Sequence, residues 1–177
     1  MTSDPVRLGV AGLGRAFMLM VPTFDADARV KLTAAAAPRA ESRAAFEEQY
    51  GGIAYPTVEE LCADPSVEAI YIATPHQMHV DHVLAAARAG KHILVEKPLA
   101  ISMEDAETMV AAANEAGVHL IVGPSHSFDP PVELAAQLEQ ELGKPVLAIN
   151  ALTFWHALRN NGIPDRIRGF GSLLAEH

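Results

Sequence analysis

Three short segments carry residue types that bind anions or move protons. The first is Gly12-Leu13-Gly14, placed between an apolar run over residues 6–11 and a helix-forming stretch. Gly12 permits a tight turn, and Gly14 lets a phosphate group approach the backbone. The first free N–H groups of the following helix would point at that anion. An ordinary strand–helix turn can use the same glycines, and Phe17 stands where a third glycine completes the usual fingerprint. The second segment is Glu96-Lys97-Pro98, directly after another apolar run. Lys and Glu are seldom buried without a partner. A lysine there can donate to a hydroxyl or carbonyl oxygen, and desolvation would let it exchange a proton. The same two charges can equally cap the end of a strand. The third segment is Ala73-Thr74-Pro75-His76-Gln77-Met78-His79.

Each segment ends an apolar run, so the runs must position them. Short bounded apolar runs read as strands buried on both faces. They are expected over residues 6–11, 30–37, 67–73, 91–95 and 118–122. Between them lie helix patterns over residues 15–26, 40–50, 57–62, 76–89 and 103–116. Pro22 is expected to bend or end the first of these. Thr57 to Glu60 has capping-box spacing, and Ser102 is placed as an N-cap. Gly51-Gly52, Gly90 and Gly117 stand at helix ends. The regular β-α alternation predicts an α/β fold, a doubly wound, mostly parallel sheet covered on both faces. Ligands of such sheets sit beyond the carboxyl ends of the strands, where all three segments fall. A further helix over residues 131–142 and a strand over residues 144–153 are expected. From Phe154 onward no clear period is visible. That part reads as the opening of a second domain that is missing or altered.

The totals narrow the class. With 177 residues, half of them hydrophobic and one fifth charged, a soluble globular protein is expected. A net charge of −9 argues against nucleic acid or an anionic membrane surface as partner. Cys62 is the single cysteine, which fits a reducing cytoplasm. No signal peptide is read, and the apolar residues 17–24 are too few to span a bilayer.

Other candidates are weaker. His76, His79 and His82 are spaced three apart, but no further ligands lie nearby in sequence. Polar residues at a helix start explain them better than a metal does, so no metal is expected. His126 reads as a loop hydrogen-bonder, Met18 and Met20 as core, and Glu104-Asp105 as a helix start favoured by the dipole. Cys62 reads as an inert thiol.

Together, Gly9-x-x-Gly12-x-Gly14, Ala73-Thr74-Pro75-x-x-x-His79 and Gly90-Lys91-His92-x-x-x-Glu96-Lys97-Pro98 resemble the Gfo/Idh/MocA family of NAD(P)-dependent oxidoreductases. Residues 15–19, 71–76 and 122–128 look like its phthalate 4,5-cis-dihydrodiol dehydrogenase branch. The resemblance implies a Rossmann-type dinucleotide-binding domain over residues 1–123. Residues 124–177 would be a connecting helix and the truncated or altered start of an α+β substrate domain. It implies that Gly12, Leu13, Gly14, Arg15 and Ala16 hold the pyrophosphate, and that Thr74, Pro75 and His79 flank the dinucleotide. Glu96 and Lys97 would sit at the nicotinamide end, with Lys97 touching both cofactor and substrate as the catalytic residue. The substrate would be a small molecule: a sugar, polyol or cis-dihydrodiol. A homo-oligomer is also implied. Where the family usually ends its second strand in an acidic residue, this chain has Ala37, then Pro38 and Arg39. Arg39 can meet a 2′-phosphate, which tips the choice between NAD and NADP toward NADP. A solvated surface arginine is the other reading. A non-catalytic dinucleotide-binding module is the alternative for the whole chain.

Overall fold

The computed structural model describes residues 4–123, which lie within one compact unit. The helix and strand expected over residues 131–142 and 144–153, and His126, lie outside the described residues.

Six strands, β1 (Val6–Ala11), β2 (Val30–Ala36), β3 (Ile53–Tyr55), β4 (Ala69–Ile72), β5 (His92–Glu96) and β6 (Leu120–Gly123), form one sheet. Its order is β3-β2-β1-β4-β5-β6, and every neighbouring pair is parallel. Parallel neighbours need a crossover, supplied by α1 (Arg15–Ala26), α2 (Ala40–Tyr50), α3 (Val58–Ala63), α4 (His79–Arg88) and α5 (Met103–Ala116). The chain moves outward from β1 to one side, then returns to add β4, β5 and β6 on the other. This reversal between β1 and β4 is the switch point at which such sheets open a ligand crevice.

Side chains alternate across the sheet and build two cores. Leu8, Val10, Leu32 and Tyr71 meet Phe17 and Phe24 of α1 and Phe46 of α2. Ala11, Ala36, Ile70, Ile72, Ile93 and Val95 meet Leu61 of α3, Val83 of α4 and Met109 of α5. Gly9 is part of this second arrangement. A Cβ there would stand 3.0 Å from Leu61 Cδ1 and from Val67 Cγ1, so α3 closes directly over β1.

Several expectations are corrected. The three-residue β3 is not among the expected strands. α1 runs through Pro22 to Ala26, its far end held by Phe24, which packs edge-on against Tyr71 with ring centroids 5.5 Å apart. The segment expected as one helix over residues 76–89 is a 3-10 turn, His76–Met78, followed by α4. Glu96 is the last residue of β5 and not the first beyond it. Met18 is 59% exposed on α1, while Met20 packs against the core. Thr57 and Ser102 cap α3 and α5, as their spacing predicts. Their side chains accept from Glu60 N at 3.2 Å and from Asp105 N at 3.1 Å.

Candidate functional site

β1 ends at Ala11, and the chain must turn at once to start α1. Gly12 makes the turn at φ +97°, a conformation that side-chain-bearing residues rarely adopt. It also lies close to the neighbouring strand end. A Cβ would be 3.0 Å from the backbone C and O of Ala73. Gly14 is the N-cap of α1 and differs in kind. Its φ of −93° suits any residue, and a Cβ there would meet nothing within 4 Å. No side chain caps this helix end. The first N–H groups of α1, at Arg15 and Ala16, are therefore available to an anion.

The turn forms one wall of a cleft of about 560 Å³. The cleft brings together Gly12, Leu13, Gly14, Arg39, Thr74 and Pro75 from the sequence-predicted set. Arg15 and Ala16 follow directly as the first residues of α1. Ala37 and Pro38, at the end of β2, line it as well. No carboxylate stands at that strand end. Arg39, the N-cap residue of α2, is exposed there. Several lining or supporting residues were missed. Ser42 faces the cleft from α2, and Arg43 Nη1 donates to Ala37 O at 2.8 Å and Pro38 O at 2.9 Å, fixing the loop under Arg39. Glu59 and Asp81 supply acidic groups to the same cleft.

Thr74 and His82 form the opposite rim. Thr74 Oγ1 lies 2.9 Å from His82 Nδ1. Burial pushes the His82 imidazole below its ordinary value of 6.5, against the pull of Glu59 and Asp81. A base held neutral by folding binds fewer protons in the folded chain than in the unfolded one. The stability contributed by its burial is therefore full above pH 6.5. It is lost as the pH falls through 6.5 toward the folded value. Thermal unfolding at about pH 7.5 and pH 5.5 should show a smaller acid-induced drop in His82→Gln than in wild type; an equal drop would remove His82 as a source.

The structure does not bring His79 to the cleft. It is 1% exposed, with Nδ1 2.9 Å from Pro98 O and Nε2 3.0 Å from Thr74 O. It ties the loop after β4 to the loop after β5 from behind. The sequence offered no sign of this, because both partners are backbone carbonyls.

Glu96 and Lys97 likewise lie at the same edge of the sheet without lining the cleft. Glu96 is half-buried and Lys97 is exposed. Glu96 Oε1 accepts a 2.7 Å hydrogen bond from the Tyr71 hydroxyl. Burial and this carboxylate hold the Tyr71 phenol far above its usual range, so it remains a donor. Elsewhere, burial pushes the Cys62 thiol up to about 11, the state of an unreactive thiol. Among the described residues no three His, Cys, Asp or Glu side chains gather as a metal site, and no helix is long and apolar enough to cross a membrane.

Comparison with known proteins agrees with this geometry. A family model described as "Oxidoreductase family, NAD-binding Rossmann fold" matches residues 6–124. A 1-carboxy-3-chloro-3,4-dihydroxycyclohexa-1,5-diene dehydrogenase from Comamonas testosteroni is 50% identical over 134 residues, covering 75% of this chain and 34% of that protein. A D-xylose 1-dehydrogenase (NADP(+)) from Haloferax volcanii is 37% identical over 150 residues, covering 83% of this chain and 45% of its own length. Among solved structures, the WlbA dehydrogenase from Bordetella pertussis in complex with NADH and UDP-GlcNAcA superposes with a TM-score of 0.72. It is 27% identical over 80% of this chain and 41% of that one. The chain thus spans between a third and a half of the length of these proteins. The parallel sheet, the glycine turn at its switch point and the matched sequence converge: the chain belongs to the Gfo/Idh/MocA oxidoreductase family, with an NAD-binding Rossmann fold.

Proposed function

We propose that this chain binds NADP(H) across the cleft and serves an oxidoreductase that acts on a hydroxyl-bearing carbon of a cis-dihydrodiol, sugar or polyol. The observation that supports it most is the open Gly14 position above an uncapped helix N-terminus. The space a side chain would fill is left for a phosphate. In this reading Gly12, Leu13, Gly14, Arg15 and Ala16 hold the pyrophosphate. Thr74 and Pro75 flank the dinucleotide, and Arg39 takes the 2′-phosphate. The nicotinamide supplies or accepts the hydride. Lys97 orients the substrate oxygen and holds or gives its proton, and Glu96 shapes the backbone beside it. Residues 1–123 are the dinucleotide-binding domain, and residues 124–177 begin a substrate domain. The dihydroxycyclohexadiene named for the Comamonas relative makes a ring dihydrodiol the first substrate to try.

Titration of NADPH fluorescence tests binding, followed by assay of the three substrate classes. Absence of binding overturns the reading. Binding without turnover favours a non-catalytic dinucleotide module.

The cofactor preference has its own test. Arg39→Ala should weaken NADPH by about 1–3 kcal/mol, for loss of a charge-assisted contact, and NADH far less. Equal losses would leave Arg39 as surface charge, and tighter NADH binding in wild type would reverse the preference.

A further inference from the structure

Tyr71 is a buried core residue with one polar atom. Its ring is 1% exposed and packs against Phe24. Its hydroxyl donates to Glu96 Oε1 at 2.7 Å. Sheet register explains the reach. Tyr71 stands opposite Leu94, so Glu96, two residues on, is its diagonal neighbour on the same face. The second carboxylate oxygen, Oε2, accepts from the backbone N–H of Lys97 at 3.2 Å. Both oxygens are thus engaged by groups other than the Lys97 ammonium. Among the described residues the ion pairs are Arg7–Glu68 and Arg29–Asp27; Lys97 is in neither.

We propose that Tyr71 is a positioning residue whose hydroxyl holds the Glu96 carboxylate within the sheet, keeping the adjacent Lys97 ammonium free of it. The functional meaning of a free Lys97 rests on the proposed oxidoreductase reading; the positioning itself does not. Without the hydroxyl, Oε1 loses the donor that holds it beside the buried Tyr71 ring. A carboxylate oxygen that loses its buried donor is driven toward another donor or toward water. The flexible cation next in sequence is Lys97. Paired with Glu96, its amine would be less available for a substrate oxygen.

The test uses Tyr71→Phe in this chain, with reductive methylation followed lysine by lysine by mass spectrometry. Lys91 is the internal reference, since its Nζ donates to Asp64 O and Val67 O at 2.7 Å each. Methylation at Lys97 relative to Lys91 should fall about two- to fivefold, the range of an exposed ion pair. Adding Glu96→Gln should restore it. An unchanged rate overturns the proposal, as does a slowed rate that persists without the carboxylate. Glu96→Gln alone tests the same point should Tyr71→Phe fail to fold. Wild-type Glu96 is held away from Lys97, so the Lys97 rate should stay nearly constant; a rise of two- to fivefold overturns the proposal. A second measurement addresses function. Tyr71→Phe should weaken NADPH more than ADP, which lacks the nicotinamide, and equal losses count against the proposal. If wild type binds neither ligand, the oxidoreductase reading fails while the methylation result still decides the role of Tyr71.

Discussion

Gly14→Val is expected to lower NADPH affinity about tenfold or more while costing at most about 1 kcal/mol of stability, the N-cap preference for glycine over valine. The two halves of that expectation come from one place in the fold. Gly14 has φ −93° and ψ −161°, extended backbone that a β-branched residue adopts readily. A Cβ there touches nothing within 4 Å, so the added branch point meets no neighbour. The space it enters lies over the uncapped start of α1, where the pyrophosphate is proposed to sit. Gly12→Ala makes the contrast. Its backbone is at φ +97°, and the new Cβ would stand 3.0 Å from the Ala73 backbone. That substitution should lower stability by about 1–3 kcal/mol as well as binding. Fluorescence titration and calorimetry of both variants separate the effects. Wild-type affinity in Gly14→Val would remove the phosphate from this turn.

In a full-length relative of the proposed oxidoreductase type, the Lys97→Met change is expected to reduce turnover about 100-fold or more, with little change in the binding of ADP. Methionine keeps the length and apolar stem of lysine and removes the charge and the proton. Lys97 is held by its backbone and not by its side chain. Its N–H donates to Glu96 Oε2, and the next carbonyl, Pro98 O, is tied to buried His79. The side chain therefore starts from a fixed backbone at the sheet edge, and among the described residues its ammonium is in no ion pair. A group in that position stabilises charge on a substrate oxygen most strongly where water is excluded. Single-turnover NADPH oxidation with saturating substrate gives the rate, and a normal rate in the variant would take lysine out of the chemistry.

The parts of the site that were legible in sequence are those encoded locally. Gly12 and Gly14 announce a turn because they follow an apolar run. Thr57 and Ser102 announce helix starts because their partners are three residues away. What the sequence could not convey depends on pairing across the sheet. Ile53 to Tyr55 is too short to show alternation, and becomes a strand only beside β2. The boundary at Glu96 shifted for the same reason, since its pairing with Gly123 continues β5 by one residue. His79 lies in a histidine-rich stretch that invites a ligand role, yet its partners are carbonyls five and nineteen residues away. The Tyr71–Glu96 contact spans 25 residues and follows only from register. Met18 was misplaced because the wide apolar surface of α1 exceeds what the sheet covers.

The strand order also has a meaning for a chain emerging from the ribosome. β1 is made first and lies in the interior of the finished sheet, with β2 on one side and β4 on the other. Every later strand is added at a free edge, and none must wedge between two already joined. Synthesis order and assembly order can therefore coincide. The exposure falls on β1. Its edge along Leu8 to Ala11 waits for Ala69 to Ile72. Until that stretch leaves the exit tunnel, an apolar edge stands open to any other nascent strand. Factors that shield nascent chains would thus matter most after β2 and β3 are made and before β4 arrives.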